Sequence, residues 1–125
     1  MAKQVIRDGT EMVGFYARAV KNGPLVFVSG TTSLDTRGQV RGKDAAEQTA
    51  ITMRKIEAAL KSGGAALKDL VRLTIFVTDI RDMAAVTKTL AKVLKGSVVS
   101  STLVAVTALA VPGLLVEIES TAVVG

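Results

Sequence analysis

The stretch VRLTIFVTDIRDMAAVTKTLAKVLKG (71–96) changes its hydrophobic period partway along. In its first part Val71, Leu73, Ile75 and Val77 alternate with Arg72, Thr74, Phe76 and Thr78. A period of two is the mark of a strand with one buried face. From Met83 onward the period lengthens, and Met83, Val86, Leu90 and Val93 fall on one helical stripe. Asp82 stands where an N-cap is expected and Gly96 where a helix stops. A strand running straight into an amphipathic helix predicts a sheet with helices laid on it.

The flanking sequence extends this reading. Upstream, Asp44-Ala45-Ala46-Glu47 has capping-box spacing, and the helix after it should run to about Ser62 and stop at Gly63-Gly64. Met53, Ile56 and Leu60 are its apolar stripe. Before that helix, LVFVSG (25–30) is a short strand following the Gly23-Pro24 break, and Gly38 suggests a turn between two short extended pieces. Downstream, STLVAVTALAV and, after the Pro112-Gly113 turn, LLVEIESTAVV are two further strands. In the last one, Val116, Ile118 and Ala122 share one face, while Glu117, Glu119 and Thr121 share the other. The order of short strands, helix, strand, helix, strand, strand predicts one α+β domain over residues 1–125, with two helices on one face of a mixed sheet. The second sheet face would then be bare, and packing against sister sheets would cover it.

Composition narrows the chemistry. The chain has no Cys and no His, which excludes disulfides, thiolate nucleophiles, imidazole bases and the commonest zinc or copper ligands. No metal and no cofactor is expected. Carboxylates, hydroxyls, one Tyr, Lys and Arg remain. With three Phe, one Tyr and no Trp the core must be aliphatic, and a small aliphatic domain often completes its burial by oligomerising. The N-terminus lacks a signal-like apolar segment and no apolar run reaches membrane-spanning length, so a soluble cytoplasmic protein is expected. The net charge is +5, yet no basic residue follows Lys95, and residues 96–125 carry only Glu117 and Glu119. The basic groups are scattered, without the clusters and stacking rings of a nucleic-acid surface.

Several pieces resemble one family. GFYARAV (14–20), LVFVSGTTSLD (25–35), VRLTIFVTDIRDMAAV (71–86) and PGLLVEIESTAVV (112–124) are similar to blocks of the Rid, or YjgF-like, reactive intermediate deaminases, also called endoribonuclease L-PSP. The resemblance implies a chorismate-mutase-like fold and a homotrimer. Three sheets would form a central barrel, with a small-molecule cleft at each subunit interface. It also implies site residues. Tyr16 matches the cleft tyrosine, Ser29 and Gly30 the motif whose backbone shapes the pocket, and Glu117 the glutamate that positions water. Active members carry an arginine at the start of the penultimate strand. In that frame this chain has Ser101, followed by Thr102 and Leu103. Thr87 stands where many members have Asn, Leu103 where some have Cys, and Thr31-Thr32 replaces Gly-Gln.

The resemblance gives that arginine the task of forking onto the carboxylate of an imino acid. A guanidinium offers two parallel donors to a carboxylate, whereas serine offers one neutral hydroxyl. Activity on 2-imino acids is therefore expected to be weak or absent. Arg18, two residues after Tyr16, is a candidate replacement cation. Each of these residues also has a purely structural reading: Tyr16 as a packed ring, Glu117 as half of an interface pair, Arg18 as a surface charge, Ser101 as a neutral wall. Two function classes stay open. One is a hydrolase or deaminase of neutral or differently charged imines, enamines or amides. The other is a trimer that binds ligands or partners without catalysis. The old ribonuclease name finds no His, basic cluster or aromatic platform to support it.

Overall fold

The computed structural model describes residues 2–125. Its strands are β1 (Gln4–Ile6), β2 (Ala19–Asn22), β3 (Leu25–Thr31), β4 (Leu70–Val77), β5 (Ser100–Ala105) and β6 (Val116–Val123); its helices are α1 (Ala45–Ser62) and α2 (Met83–Leu94). They form one six-stranded sheet in the order β1-β2-β3-β6-β4-β5. Only β4 and β5 pair in parallel, with α2 as the crossover, so the sheet is mixed as expected. β6 lies antiparallel to both β3 and β4, which makes α1 a second crossover. The α1 helix packs on α2, β3 and β6. No helix among the described residues is long and apolar enough to cross a membrane.

Sequence chemistry explains α1 in detail. Asp44 accepts from the Glu47 N–H at 2.9 Å, and Glu47 reaches back to the Lys43 N–H at 3.0 Å. These bonds satisfy donors that the first turn leaves orphaned. The Gly63 N–H closes the other end onto Leu60 at 2.9 Å, and Gly64 turns the chain away at φ +77. Met53, Ile56 and Leu60 are buried against Val26, Leu73, Ile75 and Ile118. Each such side chain stabilises the fold by about 1.5–3 kcal/mol. Gln48 is buried too. Its amide donates to the carbonyls of Gly42 and Gly113, and its Oε1 accepts from the Leu115 N–H at 2.8 Å. One side chain thus ties the turn before β6 to the helix.

Four expectations need correction. Asp82 occupies the N-cap position of α2, but its side chain makes no capping bond. A 3₁₀ turn over Ile80–Asp82 runs directly into the helix, leaving Asp82 in the helical region at φ −81. The capping carboxylate is Asp79, which accepts from the Arg81 N–H at 2.9 Å. Val71 is exposed, because a register shift between Leu70 and Arg72 against β6 gives the buried place to Leu70. Met83, counted on the buried stripe, is also exposed; it is the first residue of the helix, and the buried stripe begins at Val86. The extended run after Ser100 ends at Ala105, not Val111. The sequence also hides β1 and β2, which are only three and four residues long.

The face away from the helices carries Leu25, Phe27, Val104 and Val123, all at least one-third exposed. Glu117, Glu119 and Thr121 share it, in register with Phe76, Thr74 and Phe27.

Candidate functional site

Position 18 organises the region. Arg18 is 3 % exposed, so it is not the surface charge that its sequence context allowed. Its Nη1 donates to the Gly30 carbonyl at 2.8 Å and to Thr31 Oγ1 at 3.1 Å. Its Nη2 donates to Thr10 Oγ1 at 3.0 Å, and its Nε lies 3.2 Å from Asp8 Oδ2. The backbone N–H of Arg18 donates in turn to Glu11 Oε2 at 3.0 Å. The planar fork therefore pins the loop of residues 8–11 to the end of β3. Burial pushes the Asp8 carboxyl up, but bonds from Thr10 and the charges of Arg18 and Lys55 outweigh it and hold the carboxyl below its usual range.

That end of β3 is bulged. Pairing with β6 slips between Val28 and Thr31, which sets Gly30 under the side chain of Glu117. A Cβ at Gly30 would collide with Glu117 Oε2. Glycine is needed here for space, not for backbone conformation. Two hydroxyls hold the bulge: Ser29 Oγ donates to the Ala17 carbonyl at 2.6 Å, and Thr31 Oγ1 donates to the Ser29 carbonyl at 2.7 Å.

Glu117 is half-buried and accepts no hydrogen bond from the described residues. Burial pushes its carboxyl above the usual range, Arg18 opposes this, and Glu119 adds to it. A carboxylate in this setting binds a proton more readily than an ordinary one, which suits a general base. It lines a cavity of about 70 Å³ together with Tyr16, Arg18, Gly30, Met12 and Ala110. Tyr16 Oη accepts from the Met12 N–H at 3.0 Å, which leaves its own hydroxyl proton to donate elsewhere.

The other expected site residues lie apart within one chain. Ser101, Thr102 and Leu103 are on β5, the edge strand, two strands across from β6. Ser101 is in register with Leu73, and Leu73 with Ser120, whereas Glu117 is in register with Phe76 and, beyond it, Val104. Thr87 is exposed on α2 and donates to the Met83 carbonyl at 2.9 Å. None of these four residues lines the Glu117 cavity. Three residues that the sequence did not single out, Asp8, Thr10 and Glu11, build the loop around Arg18. Their only local signal is the turn chemistry of Asp-Gly-Thr, in which Asp8 accepts from the Thr10 N–H at 2.9 Å. Among the described residues no cluster of carboxylates could hold a metal ion.

Comparison with known proteins agrees with this architecture. The endoribonuclease L-PSP family model matches residues 8–124. A RutC family protein of Pyrococcus abyssi is 36% identical over 87 residues, spanning 67% of this chain and 68% of the relative. A 2-iminobutanoate/2-iminopropanoate deaminase of Salmonella typhimurium is 29% identical over 77 residues, or 62% of this chain and 60% of that enzyme. The crystal structure of Rv2704 from Mycobacterium tuberculosis, a member of the YjgF/YER057c/UK114 family, superposes with a TM-score of 0.87 at 43% identity. That superposition covers 98% of this chain and all of the other. With a bulged strand seating a half-buried glutamate and a family match over nearly its whole length, the chain belongs to the endoribonuclease L-PSP, or Rid/YjgF, family.

Proposed function

We propose that this protein is a hydrolytic deaminase or related hydrolase of uncharged imine, enamine or amide metabolites, working as a homotrimer with clefts between subunits. The observation that carries this reading is the seat of Glu117. Its carboxylate lies over Gly30, beside the Arg18 guanidinium, with a raised proton affinity and no protein donor holding it among the described residues. Glu117 takes a proton from water as the oxygen attacks the C=N carbon. The nitrogen takes up that proton to give a carbinolamine. The carbinolamine hydroxyl then passes its proton through Glu117 to the nitrogen as the C=O bond forms, the C–N bond breaks, and ammonia or an amine leaves. In this reading Tyr16, which lines the same cavity and accepts from the Met12 N–H, donates its hydroxyl proton in a hydrogen bond to the substrate. The relative named a 2-iminobutanoate/2-iminopropanoate deaminase supports the reaction class.

Substrate charge should differ from that of imino-acid deaminases. The chain has Ser101 at the anchoring position and no cation beyond Lys95. Arg18 does not replace it, since its guanidinium is committed to Gly30, Thr31, Thr10 and Asp8. Losing a bidentate anchor costs about 2–5 kcal/mol, roughly 30- to 4,000-fold in affinity. The apolar face bearing Leu25, Phe27, Val104 and Val123 supports the trimer, because burying it against sister sheets removes exposed hydrocarbon. Assembly would also bring a neighbour's residues to the small cavity.

A second reading, a trimer that binds ligands or partners without turnover, is favoured by the same commitment of Arg18. Assaying Glu117→Ala against a panel of imines and amides separates the two. A wild-type rate that disappears in the variant supports the hydrolase. The absence of turnover across the panel, with ligand binding retained, supports the binding trimer.

A further inference from the structure

A larger cavity, about 390 Å³, lies beside the Glu117 cavity and meets it at Thr10 and Leu34. Leu34, Ile51 and Ala58 give it apolar walls, and Lys55, Ser33 and two carboxylates bring polar atoms to it. Its volume is at the lower end of what a small ligand needs.

Lys55 reaches from α1 and donates to the carbonyls of Thr32 and Leu34, both at 2.8 Å. A neutral amine has two N–H donors and a lone pair, whereas an ammonium has three donors and none. The two carbonyls therefore satisfy the neutral form completely. Burial is the chief cause lowering this amine to about 8; the Arg18 charge acts the same way, while Asp8, Glu11 and Asp35 oppose it. Arg41, the cavity's other cation, is paired with Asp35 at 3.1 Å.

Ser33 stands between those two carbonyl residues. It is fully buried, lines the cavity, and its Oγ has no hydrogen-bond partner among the described residues. A buried hydroxyl without an acceptor is unfavourable unless something else supplies one. The ionised Asp8 and Asp35 on the same walls disfavour an anionic guest, and the apolar walls favour a hydrocarbon tail.

We infer that the Lys55 cavity is a covalent binding site for small uncharged carbonyl compounds, aldehydes or ketones with an apolar tail, held as an imine on Nζ. The Nζ lone pair attacks the carbonyl carbon, and the C=O electron pair moves to oxygen, which accepts a hydrogen bond from Ser33 Oγ. The carbinolamine loses that oxygen as water, carrying both amine protons, and the C=N bond forms. Uptake of a proton gives an iminium, which keeps one N–H for a backbone carbonyl.

The test uses the whole wild-type protein with butanal and sodium cyanoborohydride, which reduces the imine to a stable secondary amine, followed by peptide mapping. The unprotonated fraction at pH 7 of an amine titrating near 8 is about 300-fold that of an ordinary lysine. Lower basicity weakens the attack, so a preference for Lys55 of about tenfold or more over exposed lysines is expected. The rate should rise with pH to a midpoint near 8. Ser33→Ala should slow labelling several-fold without moving that midpoint, and Glu117→Ala should leave labelling unchanged. Labelling spread evenly over the exposed lysines, or confined to the N-terminal amine, overturns the inference.

Discussion

Arg18 Nη1 donates to the Gly30 carbonyl at 2.8 Å, so the cation beside Glu117 is fixed by the same bulge that seats the Glu117 carboxylate. A charged group held this way sets the field of the site but is not free to fork onto a ligand. Removing it should affect folding first. Arg18→Leu leaves Asp8 without its buried partner and removes the Nη2 bond to Thr10, so that only the backbone bond from position 18 to Glu11 still ties the 8–11 loop down. Breaking one side of a buried pair costs about 3 kcal/mol. The urea midpoint should fall by that free energy divided by the transition slope, about 1–3 M, with the slope itself unchanged.

Gly30 and Glu117 should be energetically coupled. Gly30→Ala places a methyl against the carboxylate and is expected to destabilise by about 1–3 kcal/mol. In a Glu117→Ala background the clash disappears, and so should most of that cost. A double-mutant cycle measured by denaturation reads the difference. Strict additivity would mean that the bulge relaxes without consulting the carboxylate.

Stability should depend on pH through Glu117 with a definite sign. Its folded-state carboxyl is raised above the unfolded value by burial. The folded protein therefore binds the proton more tightly than the unfolded chain, and its stability is penalised above the folded-state pKa. The penalty is relieved as pH falls through that pKa towards the ordinary glutamate range. Glu117→Gln should melt higher than wild type at pH 8, and the gap should close on acidification. The same titration predicts an acid limb in the rate profile lying above that of an unperturbed carboxylate.

The exposed sheet face makes a prediction about assembly. Leu25, Phe27, Val104 and Val123 present hydrocarbon that a trimer would cover. Phe27→Asp puts a charge into that surface. Sedimentation velocity should show a trimer for the wild type and monomers for the variant.

Much of the fold can be read from local pattern. Met53, Ile56 and Leu60 repeat at helical spacing and are buried; Val116, Ile118 and Ala122 alternate with Glu117 and Glu119 and are buried as well. Where prediction failed, a non-local fact decided. Val71 continues the alternation, but the slip of Leu70 against β6 turns it outward. Asp82 reads as the cap in the sequence, but the extra 3₁₀ turn over Ile80–Asp82 passes the capping role to Asp79. For the candidate site, Glu117, Gly30, Tyr16 and Arg18 meet around one cavity. The burial of Arg18 was not legible, since its partners Asp8, Thr10 and Gly30 are 8–12 residues away in the chain and only the folded loop brings them to it. Ser101, Thr102, Leu103 and Thr87 stay outside that cavity because β5 is at the sheet edge and Thr87 is on the outer surface of α2.

The most direct test is the steady-state kcat/KM of wild type and Glu117→Ala on two imines matched in size, one bearing an α-carboxylate and one uncharged. The account predicts turnover of the uncharged imine that vanishes in the variant, with the carboxylate-bearing imine at least about thirtyfold slower. Equal turnover of both imines, or a rate untouched by Glu117→Ala, would contradict it.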